Sequence, residues 1–266
     1  MIRVVFVDAG SGDFLGESSS APEQIPESFE AYTQVRLSGA DWEVVRAEPM
    51  TRAAAVEMGQ IKLVLRRLKI EHVAPERIHY SLPSINEAIP PIAAGTSKLD
   101  KNVLELGEDD FRQVELVSRA HETAVRTGLA AIERIVKEAR TAAGAFERMH
   151  VRTEVPQPLA DRRIGLSELR SRLQATDYDG LTYRGVAGLV EGGFGLQTRG
   201  GLRLYGLEQD GVVAAAGLLP GHLEGPTDQD ATALAAFMGE HNLVLVDWCR
   251  TELVDAGGVR SYLAAR

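Results

Sequence analysis

Along the first seventy residues, apolar and polar positions alternate in short bursts separated by turn-forming clusters. Val4-Val5-Phe6-Val7 reads as a strand, residues 8–13 (DAGSGD) as a turn, and Phe14-Leu15 as the start of the return strand. Residues 31–37 (AYTQVRL) alternate again, 38–41 (SGAD) turn, and 42–47 (WEVVRA) follow as the hairpin partner. Thr51 is placed to cap a short helix, RAAAVEM, and Gly59 to end it in the left-handed conformation that glycine tolerates. Residues 61–70 (IKLVLRRLKI) then alternate over a strand length. The expectation for 1–75 is a small antiparallel β unit of about five strands with one short helix.

The pattern changes at residue 76. Pro83, Pro90, Pro91 and Gly95 interrupt any periodic element, while Ile85, Ile89 and Ile92 recur as though resting on an apolar surface. Residues 76–107 therefore read as a Pro-rich wrap, ordered and extended over 81–101. Over 108–150, apolar residues fall three or four apart, from Phe111, Val114 and Val117 through Val125, Leu129 and Ile132 to Val136. Glu108-Asp109-Asp110 puts negative charge at the amino end, and Glu122/Arg126 and Glu133/Lys137 are i,i+4 pairs. That spacing predicts one long helix, or a pair divided at Gly128.

Residues 151–266 predict a short helix near 166–174 and a meander of glycine-punctuated strands. A helix opened by Thr227 follows, and then a strand in NLVLVDWCR (242–250) with aliphatics on both faces. The fold expected is α+β: two mainly antiparallel β lobes joined by the Pro-rich segment and a long central helix.

Composition narrows the function classes. A net charge of -9, with no long Lys/Arg run, argues against a nucleic-acid partner, because neutralising phosphates needs a concentrated basic face. A single cysteine makes no internal disulfide, which fits a reducing compartment. The apolar run at the N-terminus is too short for a secretory signal, and no run approaches membrane length. A cytoplasmic protein without membrane contact is expected.

Candidate chemistry centres on Cys249. It requires a base, for which His222 and His241 are the candidates, with Asp247 beside it and Arg250 as an anion-binding group. The opposing reading is stronger, since a lone cysteine is more often a small buried hydrophobe. Residues 191–201 (EGGFGLQTRGG) lack the P-loop lysine. His72 and His79, with Glu71 and Glu76, lack a zinc-ligand pattern, and His121 reads as a packed side chain. No cofactor and no metal are expected. The leading expectation is a non-enzymatic protein-binding or regulatory module, with a protein partner or a homodimer formed through the long helix. The alternative is a small-molecule hydrolase or transferase with a site between the lobes, built from Cys249, Asp247 and His222.

Overall fold

The alternation over residues 1–70 closes into a five-stranded sheet in the computed structural model, which describes residues 1–29, 32–69, 74, 78–99, 101–219 and 227–265. Its strands are β1 (Ile2–Asp8), β2 (Phe14–Ser20), β3 (Thr33–Leu37), β4 (Ala40–Glu48) and β5 (Gln60–Arg67), with helix α1 (Arg52–Met58) before β5. The order is β2-β1-β5-β4-β3. β1 and β5 run parallel and the other pairs antiparallel, so this unit is not wholly antiparallel as expected. Val4, Phe6, Ile61, Leu63 and Leu65 share one face and are buried with Ile25 and with Ala55 of α1. The caps act as the sequence implies: Thr51 accepts from the Ala54 N–H, and Gly59 closes α1 at φ 69°.

Met1–Ala74, with Gly185–Ala187, forms one unit, and Pro75–Arg184 with Gly188–Arg266 forms the other. The second contains β6 (Ser84–Asn86), β7 (Leu104–Leu106), β8 (Val114–Ser118), α2 (Glu122–Glu138), β9 (His150–Arg152) and α3 (Leu166–Arg172). The chain continues through β10 (Thr176–Asp177), β11 (Leu181–Tyr183), β12 (Gly193–Gln197), β13 (Arg203–Gln209) and β14 (Val212–Leu219). It ends with α4 (Asp228–Glu240), β15 (Leu243–Asp247), β16 (Glu252–Val254) and α5 (Val259–Ala264). Seven strands make an antiparallel sheet in the order β10-β12-β13-β14-β8-β15-β16. One face carries Val117, Val244 and Val246 against Val125, Leu129 and Ile132 of α2. The other carries Leu116, Leu243 and Leu245 against Leu169, Leu234, Phe237 and Val259 from α3, α4 and α5.

The α+β expectation with a long central helix is corrected here. The chain is mostly β, with several sheets, and the longest α-helix among the described residues is the 17-residue α2. Val114 and Val117 belong to strand β8, in the interior of the seven-stranded sheet. A strand buried on both faces has no period of two, so its aliphatics matched a helical spacing by coincidence. The helix-based homodimer loses its premise, because α2 spends Val125, Leu129 and Ile132 on its own sheet.

The Pro-rich segment is tied down by parallel pairing of β6 with β9 and by an antiparallel bridge between Ile92 and Val190. Ile85 is half-buried there, while Ile89 and Ile92 are exposed. Among the described residues no helix is long and apolar enough to cross a membrane.

Candidate functional site

β8 reads Val-Glu-Leu-Val-Ser, and all five residues are buried. Glu115 is 0% exposed, so its carboxylate must be matched by charge and hydrogen bonds to be tolerated. Arg112 supplies the charge, with Nε 2.6 Å and Nη2 3.2 Å from the two carboxylate oxygens. Trp248, just past the end of β15, donates its indole N–H to the same carboxylate at 2.8 Å.

Arg112 reaches back to Glu115 because its own backbone is left-handed, at φ 58°. A non-glycine residue there costs about 1 kcal/mol or more, so surrounding contacts must hold it. Tyr205 does so: its hydroxyl accepts the Arg112 N–H at 2.7 Å and donates to the Asp110 carbonyl at 2.8 Å. Burial pushes the Tyr205 hydroxyl well above the usual phenol range, which keeps it a donor. Arg112 also donates to the carbonyls of Val155 and Pro156.

Arg152 is the second buried guanidinium. It donates to Ser84 Oγ at 2.8 Å, to Gln113 Oε1 at 3.1 Å and to the Arg112 carbonyl at 2.9 Å. Its centre lies 5.1 Å from the Trp248 ring centroid, a cation–π contact. Burial lowers its pKa to about 10, against an opposing pull from Glu115. Gln113 fixes the corner, donating its amide to the carbonyls of Ser84 and Asp109.

Cys249 sits at the edge of this cluster. Its partly buried thiol donates at 3.4 Å to Gln113 Oε1, the oxygen that also accepts from Arg152.

The other sequence candidates go elsewhere. Asp247, also 0% exposed, accepts from the Tyr262 hydroxyl of α5 at 2.9 Å and from the Arg250 N–H at 3.0 Å. The Arg250 side chain is about half exposed, 4.0 Å from Asp247. His241 precedes β15 and Cys249 follows it. A five-residue strand at about 3.3 Å per residue separates them, which rules out a direct hydrogen bond. His222, like His72, Glu71 and Glu76, lies outside the described residues. His79 is exposed, and His121 is partly exposed rather than packed, 3.9 Å from Asp161. Glu108, Asp109 and Asp110 form a single 3-10 turn whose carbonyls at 109 and 110 serve the cluster. Sequence reasoning missed Arg112, Glu115 and Arg152; the available signal was an acid inside the apolar run Val114–Val117.

The N-terminal unit holds a different feature. A cavity of about 230 Å³ opens beside the buried face of its sheet, floored by Val4, Phe6, Ile25, Ile61 and Leu63. Ser20, Gln24, Thr33 and Gln34 contribute polar groups to its lining. An apolar floor with a few polar groups is the usual composition of a ligand pocket. β3, which supplies Thr33, Gln34 and Val35, is one of the two edge strands, β2 being the other.

No protein-family model matches this chain, and neither does any curated protein or solved structure.

Proposed function

We infer that the chain is a binding module. Its N-terminal unit takes an extended segment of a partner protein along β3 and seats one apolar side chain of that segment in the adjoining cavity. The cavity carries this reading. An apolar cavity of about 150 Å³ already accepts benzene, so one of about 230 Å³ has room for a branched aliphatic or aromatic side chain.

Two further features support it. Among the described residues β3 pairs only with β4, and Gln34–Leu37 carries one charge, no proline and no register shift. Edge strands are ordinarily protected by such devices, and an unprotected one is suited to strand addition. The Tyr32 N–H is taken by the Gly185 carbonyl, but that contact precedes the strand. In addition, of twelve large apolar side chains exposed among the described residues, seven fall within the first 58, including Met50, Val56 and Met58. That concentration favours a protein partner over a free small molecule.

The test is selection from a displayed library of random dodecamer peptides on the full chain. Enriched peptides should share one large apolar residue within a β-forming stretch. Their affinity should fall by about tenfold or more in Gln34→Arg, equivalent to about 1.4 kcal/mol. Gln34 is exposed, so the substitution leaves the core alone. Failure to enrich, or affinity indifferent to Gln34→Arg, contradicts the reading.

A second reading, a hydrolase or transferase using Cys249, is favoured by the partial exposure of that thiol and by its place on Gln113 Oε1, which the Arg152 guanidinium also contacts. It requires Cys249 to react with a thiol reagent in the native state. Reaction only after denaturation defeats it.

A further inference from the structure

α3 and α4 bring three metal-ligating side chains together on the opposite side of the seven-stranded sheet from α2. Glu168 lies in the first turn of α3, Glu240 ends α4, and His241 is the residue that caps it. One ligand atom from each lies within 4.8 Å of the other two. The His241 ring is held against Phe237, with centroids 4.5 Å apart, so its direction is set by packing.

The His241 Nε2 atom is buried, 3.3 Å from Glu168 Oε1, yet it makes no hydrogen bond among the described residues. The two atoms have the spacing of an ion pair without the geometry of a hydrogen bond. A tetrahedral zinc ion with ligands at about 2.0–2.1 Å sets neighbouring ligand atoms about 3.3 Å apart. The pair is therefore spaced as two ligands of one ion. Arg172 grips Glu240 at 2.5 Å, the kind of outer partner that orients a ligating carboxylate. Glu168 and Glu240 are about half exposed, which leaves a route for a cation.

We propose that Glu168, Glu240 and His241 form a zinc-class divalent cation site joining α3 to α4. The imidazole argues for zinc over magnesium or calcium, which prefer oxygen donors alone. Three protein ligands leave a fourth position open to water or a small ligand. The site is independent of the partner-binding cavity.

Calorimetric titration of the untagged full chain with zinc chloride tests it. One zinc per chain should bind saturably, and magnesium chloride should give no comparable heat. His241→Gln and Glu168→Gln should each weaken zinc by more than about 100-fold, since even an outer-shell partner is worth about 10–100-fold. Glu168→Gln is nearly isosteric at a half-exposed side chain, so circular dichroism should show it folded. Absence of saturable zinc binding, binding undiminished in the folded Glu168→Gln variant, or preference for magnesium overturns the proposal.

Discussion

Trp248 and Glu115, 133 residues apart in the chain, meet at 2.8 Å, indole N–H to buried carboxylate. The bond joins the residue that follows β15 to the second residue of β8, beside a guanidinium that shares the same carboxylate. Removing the carboxylate strands Arg112 and the indole N–H together. Glu115→Ala should therefore cost about 3–5 kcal/mol, the usual penalty for leaving a buried charge unmatched. Glu115→Gln should cost less, because an amide oxygen still accepts from Trp248. Urea unfolding measures both, and near-neutral values would show that the cluster does not hold β8 to β15.

Gly128 of α2 approaches the same tryptophan. A Cβ at this position would lie 3.1 Å from Trp248 Cζ3 and 3.5 Å from Glu154 Oε1. Glycine to alanine in a helix ordinarily gains about 1 kcal/mol. Here Trp248 is held by Glu115 and stacked on Arg152, so it has little room to give. Overpacking costs about 1–3 kcal/mol, and Gly128→Ala should lower stability by about 1 kcal/mol net. A raised Tm would show the tryptophan is looser than these contacts imply.

Tyr183 offers the opposite sign. Its hydroxyl is buried without a hydrogen-bond partner among the described residues, and burial pushes its pKa upward, with Glu108 adding to the effect. Its ring is useful, standing edge-on to Phe111 at 6.5 Å. Tyr183→Phe keeps the ring and deletes the unsatisfied hydroxyl, so it should raise stability by about 1 kcal/mol. A loss of that size in thermal unfolding would mean the hydroxyl has a partner.

Acid should weaken the C-terminal unit partly through Glu154. Burial is the largest single influence and pushes its pKa up, but hydrogen bonds from its own and neighbouring backbone amides and from His150 outweigh it. The folded value thus lies below the ordinary 4.5. A depressed carboxylate contributes stability that is complete above the unfolded value and is lost as pH falls through the folded one. Stability should drop below about pH 4.5, and Glu154→Gln should flatten that part of the profile. An unchanged slope in the variant would remove Glu154 from the acid response.

Local chemistry was legible in the sequence wherever it acts locally. Thr51 and Gly59 delimit α1, and Thr227 with Asp230 forms the capping box of α4. The run Leu243–Val246 reads as a strand covered on both faces, which β15 is. β8 was not legible, because burial on both faces erases its alternation and α2 follows it after a single 3-10 turn. The Arg112–Glu115–Arg152 cluster was hidden for a different reason. Arg112 and Glu115 are only three residues apart, but the links from Gln113 to Arg152 and from Glu115 to Trp248 span 39 and 133 residues, and no local pattern encodes such contacts. The cavity was equally hidden, since its floor comes from β1, β5 and the segment before β3.

The most direct test of partner capture is methyl-selective NMR of the full chain titrated with a peptide enriched in the library selection. Shifts should concentrate on Val4, Ile25, Val35, Ile61 and Leu63, the methyl groups around the cavity, and should vanish in Gln34→Arg. Binding that moves methyls of the C-terminal unit and leaves these five in place would contradict the reading of the N-terminal unit as the binding site.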